Sequence, residues 1–268
     1  PATNYMSTDP EAPLPDVTEP IVDLFAAETA GLLSWIYYLL KPELDKVTPL
    51  ICNRILLETK YRILDPFLER NDFWWMGFNS NRKVNNWNPW IISNCLTAFL
   101  LLEEEPKRRI EAVYKAMNCL DNFIAGYHPD GGCDEGSSYW GRAGASLFDC
   151  LELLYGASYG RIDFYDEPLV KEIGRFIYRS YISGDYFINF ADGGGKVRIA
   201  ADLVYRYGKR INDSKLMALG SSAHHAHAKE GFQVSCLLRD LPALFNYAEI
   251  ERETVRPPFV RDVWLDGI

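Results

Sequence analysis

Apolar residues recur at helical spacing along most of this chain, and that periodicity restricts the possible fold more than any other feature. After Glu19-Pro20, the residues Ile21, Leu24, Phe25, Leu32, Trp35, Ile36 and Leu39 define one amphipathic helix. Glu28 interrupts the stripe, so it either meets a partner or marks a face that is not fully buried. Thr48 and Pro49 supply a cap and a first-turn proline for a second helix, whose inner face is Ile51, Ile55, Leu56 and Ile63. A third helix opens at Asn88-Pro89, with Asn88 as its cap, and runs through Ile91 to Leu102. The fourth has its apolar stripe on Ile110, Val113, Tyr114, Met117, Leu120, Phe123 and Ile124, with Lys107, Arg108, Arg109 and Glu111 polar. A fifth, from about Gly141 to Tyr155, turns Leu147, Phe148, Leu151 and Leu154 inward. Further helices are expected near Pro168 to Ser180, Lys196 to Tyr207, Asp213 to Leu219 and Leu237 to Tyr247. Strand signals are confined to Tyr186-Phe187-Ile188-Asn189-Phe190, before the turn Asp192-Gly193-Gly194-Gly195. The expected class is all-α, with helical hairpins repeating at roughly 40 to 50 residues, either an open solenoid or hairpins curled into a toroid.

Two long connections separate this pattern from a plain solenoid, because long loops inside a compact domain usually carry function. The first, Pro66 to Asn88, leads into Trp90; between Asn71 and Trp90 it holds four Trp and six Asn. Asn presents two donors and an acceptor from a neutral head group, which suits recognition of hydroxyls and carboxylates. The Trp rings would stack on sugar faces or, equally, serve as core. The second connection, Gly126 to Gly141, contains Asp130, Asp134 and Glu135, the turn-forming Gly131, Gly132 and Gly136, and then Tyr139, Trp140 and Arg142. It lacks the alternating acids of a calcium loop. A solvated, turn-rich loop is the plain alternative.

Composition removes several classes. Basic residues number 28 against 37 acidic ones, a formal charge of −9, so no domain-wide basic surface exists for nucleic acid. No apolar run approaches the roughly 18 residues of a membrane span. Cys52, Cys95, Cys119, Cys133, Cys150 and Cys236 are scattered without metal or disulfide spacing and read as small hydrophobes. His224, His225 and His227 with Glu230 bring only two imidazoles onto one helical face, so a surface helix end or an interdomain contact is expected there; no metal or cofactor is expected. His128 beside Pro129 reads as a loop anchor.

The strings Asn85-Asn86-Trp87-Asn88-Pro89-Trp90, Asp130-Gly131-Gly132-Cys133-Asp134-Glu135-Gly136 and Ser138-Tyr139-Trp140-Gly141-Arg142 together resemble the heparinase II/III family, as does Tyr186 to Asp192. The similarity runs over most of Ile21 to Asp262. It implies an incomplete (α/α) toroid truncated at both ends. Residues 1–20 are then a linker or irregular segment, 21–250 the partial toroid, and 251–268 the lead-in to a missing β-sandwich. It also implies a polysaccharide lyase acting on an acidic, uronic-acid glycan, periplasmic or secreted. By that resemblance Asn86, with Asn85 next, neutralises the uronate carboxylate, and Tyr139 serves as acid and, for one epimer, base. A Tyr acting as base needs a cationic neighbour, and Arg142, one helical turn on, is the expected one. Trp74, Trp75, Asn85, Trp87, Glu135, Trp140 and Arg142 are the expected substrate contacts. Trp87 stands where some relatives carry His, and a further His belongs to the missing sandwich, so this chain is expected to hold part of a site. A polyanionic substrate would require Arg82, Lys83, Arg142, Lys196 and Arg198 to cluster. The rivals are a glycoside hydrolase using Asp130, Asp134 and Glu135, and a non-catalytic glycan-binding or structural domain.

Overall fold

The structure, a computed structural model, describes residues 18–78, 83–228, 236–253, 256–258 and 265–266. It is mostly helical, as the periodicity requires, and the chain divides into two compact units between Gly126 and Tyr127, within the segment 21–250. Among the described residues no helix is long and apolar enough to cross a membrane.

The first unit is built on α1 (Leu24–Val47), α2 (Pro49–Thr59), α3 (Asp65–Glu69), α4 (Trp87–Leu102) and α5 (Pro106–Ala125). Their starts follow from capping chemistry. Asp23 accepts from the Ala26 amide at 2.7 Å, Thr48 caps α2 ahead of Pro49, and Glu105 accepts from the Lys107 and Arg108 amides ahead of Pro106. A π-turn at Lys60–Leu64 carries α2 into α3. Helix α1 packs on α4 and α2, and α4 packs on α5. The buried side of α1 is Leu24, Ala27, Ala30, Gly31 and Ser34, whereas Phe25, Leu32 and Leu39 of the expected stripe are exposed. A side chain at Gly31 would meet the Asn94 Oδ1 at 2.4 Å, so small residues let α1 approach α4 closely. Glu28 does have a partner, the Trp90 Nε1, at 2.8 Å. In α5 the expected stripe holds at its C-terminal end, where Leu120 and Phe123 are buried, but Ile110 and Tyr114 are exposed and Ala112, Ala116 and Cys119 complete the inner face.

The second unit contains α6 (Ser137–Trp140), α7 (Gly144–Ala157), α8 (Pro168–Arg179), α9 (Ala201–Arg210), α10 (Ser214–His227) and α11 (Leu237–Ile250). Leu147, Phe148, Leu151 and Leu154 of α7 are all buried, in agreement with the sequence pattern. Trp140, Phe148 and Tyr207 form a stack, with Phe148 and Tyr207 centroids 4.5 Å apart. Charged groups in this core are paired: Arg206 with Glu152 at 3.0 Å, and Arg239 with Asp149 at 2.7 Å. A two-stranded antiparallel hairpin joins β1 (Tyr181–Ser183) to β2 (Tyr186–Phe187), with Tyr181 opposite Phe187. The expected strand ends early, at Phe187. Ile188 still donates to the Ser180 carbonyl, but its own carbonyl accepts from Ser137 Oγ at 3.1 Å.

Candidate functional site

In the first unit the aromatic, Asn-rich connection splits into a buried and a half-buried part. Trp75 is fully buried and donates from Nε1 to the Val22 carbonyl at 2.9 Å, while Phe73 and Phe67 stack beside it. This corrects the expectation of a substrate contact at Trp75, because neither ring face is open. Asn88 is likewise core and not the helix cap. Its Nδ2 donates to the Trp75 and Cys119 carbonyls at 2.8 and 2.9 Å. The start of α4 is instead closed by Asn85, whose Oδ1 accepts from the Trp87 amide at 3.1 Å, with Asn86 at the cap position between them. What remains for a ligand is the half-buried pair Trp74 and Trp87, with centroids 5.2 Å apart, together with Asn85 and Lys83. Asn86 is 5% exposed, and its carbonyl accepts from the Trp90 amide. Arg82, Asn79 and Asn81 lie outside the described residues.

In the second unit Tyr139 sits on the one-turn helix α6 and is 38% exposed. Three bonds from distant parts of the chain hold that turn. Ser137 Oγ donates to the Ile188 carbonyl at 3.1 Å, Trp140 Nε1 to the Ile173 carbonyl at 2.8 Å, and Arg239 Nη2 to the Gly141 carbonyl at 2.8 Å. Trp140 is therefore a buried anchor, which corrects its expected role as a stacking face. The Arg142 amide donates to the Tyr139 carbonyl at 2.8 Å, so Arg142 follows Tyr139 by one turn of backbone. Gly136 has φ +93°, and a side chain there would strike the Phe190 carbonyl at 2.7 Å and the Gly193 α-carbon at 3.1 Å. Glu135 is half-buried and Asp134 exposed.

Asp130 is spent on the loop itself. Its Oδ1 accepts from the Gly132 amide at 2.8 Å and lies 3.1 Å from His128 Nδ1, which makes His128 the loop anchor it was expected to be. Burial pushes the Cys133 thiol up to about 12, so it is not a nucleophile at neutral pH. The histidines of α10 diverge. His224 pairs with Glu251 at 3.0 Å, His225 with the Glu253 carbonyl at 2.7 Å, and His227 with Asp185 at 2.9 Å. Glu230 lies outside the described residues; among those described, no group of three or more His, Cys, Asp or Glu is placed to hold a metal.

Asn86 and Tyr139 thus belong to different units, and each unit carries its own share of the predicted residues. Sequence reasoning missed Ser137 and Arg239, the supports of the Tyr139 turn. Their partners lie 51 and 98 residues away, beyond the reach of any local motif. No protein-family model matches the chain, and no curated protein matches it.

Proposed function

We propose that this chain is the helical portion of a heparinase II/III-like polysaccharide lyase, an incomplete (α/α) toroid acting on a uronic-acid glycan. On this reading the polypeptide continues into a β-sandwich and works in the periplasm or outside the cell. The observation that carries the proposal is the Tyr139 turn: an exposed phenol on a single helical turn that three long-range hydrogen bonds fix in place. Preorganisation of this kind serves proton transfer, which depends on placing a donor within hydrogen-bond reach of the reacting oxygen.

In the elimination, the C5–H bond gives its electrons to a C4–C5 double bond and the C4–O bond breaks. Tyr139 delivers a proton to the departing glycosidic oxygen. The C5 proton leaves to a base, which for one epimer is Tyr139 itself, taking that proton at its phenolic oxygen and passing one to the departing oxygen. Asn86 donates to the uronate carboxylate and so stabilises the enolate-like intermediate. Because Asn86 is 5% exposed, the carboxylate must reach a largely enclosed amide. The two loops of the second unit carry Arg142, Lys196 and Arg198 against Asp130, Asp134, Glu135 and Asp192. That balance favours a sparsely charged uronic glycan over a highly sulfated one.

The test is to incubate the polypeptide carrying this chain with a panel of uronic glycans and follow the ultraviolet absorbance of the unsaturated product. Tyr139→Phe is expected to lower the rate by about 100-fold or more while keeping affinity. New reducing ends without absorbance would replace elimination by hydrolysis, a reading weakened by the engagement of Asp130 in its own turn. Glycan binding with neither product would leave a binding module.

A further inference from the structure

The hairpin behind the Tyr139 turn carries a second recognisable surface. Tyr186 is exposed on β2, and Lys196 is paired to it by an isolated antiparallel bridge. The flanking bonds, Phe187 amide to Gly195 carbonyl at 3.0 Å and Val197 amide to Asp185 carbonyl at 2.9 Å, fix that pairing through the backbone. The Lys196 ammonium lies 5.2 Å from the Tyr186 ring centroid. Of the nearby acids, Asp185 is engaged by His227 at 2.9 Å, and Asp192 is exposed on the turn that follows Phe190. Tyr186 is two residues from Ile188, just past the end of β2, and the Ile188 carbonyl is the one that receives Ser137. The ring and the ammonium are therefore tied to the same short segment that positions Tyr139.

We propose that Tyr186 and Lys196 form a subsite for one acidic sugar, the exposed edge of the ring packing against the sugar and the ammonium held over the ring pairing with its carboxylate. The proposal rests on reading the Tyr139 loop as a glycan site, and it assigns to that site a residue pair that recognises charge. One cation and one ring match a single carboxylate per sugar, not a dense sulfate array.

Binding is measured by titration calorimetry in the Tyr139→Phe background, so that turnover does not consume the probe. The probes are an unsulfated glucuronate-containing hexasaccharide and the same hexasaccharide with its carboxyl groups reduced to alcohols. Lys196→Gln is expected to weaken the acidic probe about three- to fivefold and leave the reduced probe unchanged. Tyr186→Ala is expected to weaken both. Both side chains are exposed, and matching thermal melts verify that the variants fold. Affinities unmoved by either substitution overturn the subsite, as does a failure of the Tyr139→Phe protein to bind the hexasaccharide. A Lys196 effect without any elimination by the wild-type protein sinks the lyase reading and leaves the subsite standing.

Discussion

The Asn88 amide nitrogen lies 2.8 Å from the main-chain oxygen of Trp75, and this bond turns the middle of an aromatic loop into core. The same amide reaches the Cys119 carbonyl in α5, so one side chain ties the Trp75 turn, α4 and α5 together.

Asn88→Ala is therefore expected to cost about 2–4 kcal/mol, because it strands two buried carbonyl bonds. Urea unfolding of the variant should show a lower midpoint with an unchanged slope. Asn85→Ala, which removes only the side-chain bond at the start of α4, is expected to cost about 1 kcal/mol.

Gly131 and Gly184 both have positive φ, at +76° and +53°, but their surroundings differ. A side chain at Gly131 would lie 2.1 Å from the Glu172 carbonyl carbon in α8, whereas nothing approaches Gly184 within 4 Å. Gly184→Ala is expected to cost about 1–2 kcal/mol, the backbone penalty alone. Gly131→Ala should exceed about 4 kcal/mol or fail to fold, since α8 would have to move. Thermal melts of the two variants check the order.

Arg239 joins the almost fully buried Asp149 to the Ser146 hydroxyl and the Gly141 carbonyl. Arg239→Met is expected to cost about 3–5 kcal/mol, because Asp149 would remain charged, buried and unpaired. Asp149→Asn in the same chain should recover part of that loss. A double-mutant cycle measures the coupling.

Glu152 offers a pH signature. Burial raises its carboxyl above the ordinary value, and Arg206 restores only part of the difference. The folded chain consequently holds this proton more tightly than the unfolded one. The contribution of Glu152 is greatest at low pH and declines as pH rises through the interval between the ordinary carboxylate value and the raised one. Relative to wild type, Glu152→Gln should therefore lose least at the upper end of that interval. Urea midpoints of both proteins across the acidic range check the sign. A penalty that grows with pH would mean that pairing with Arg206 outweighs burial.

What the sequence made legible was period, more than phase. Leu147, Phe148, Leu151 and Leu154 announce the inner face of α7 because that face is filled by large residues. In α1 and α5 the inner faces are filled by Ala27, Ala30, Gly31, Ala112 and Ala116, which a pattern of large apolar residues passes over. Close helix approach depends on such small side chains, so Phe25 and Ile110 are left outside. At the site, Tyr139 was visible as a loop tyrosine before a helix. Asn88, expected as the cap, is core instead, and the side-chain bond at the start of the helix comes from Asn85, because α4 begins at Trp87. The burial of Trp75 and Trp140 depends on Val22 and Ile173, carbonyls that no side-chain pattern records.

The meeting of Gly136 with Gly193 has a mechanical consequence. A side chain added at either glycine would press on the backbone of the other, at 3.1 and 3.3 Å from the opposing α-carbon. The turn before Tyr139 and the turn after the hairpin must therefore travel as one piece. A side chain placed at either glycine would force both turns to shift together, whereas the exposed Tyr186 and Lys196 can be replaced without disturbing that joint.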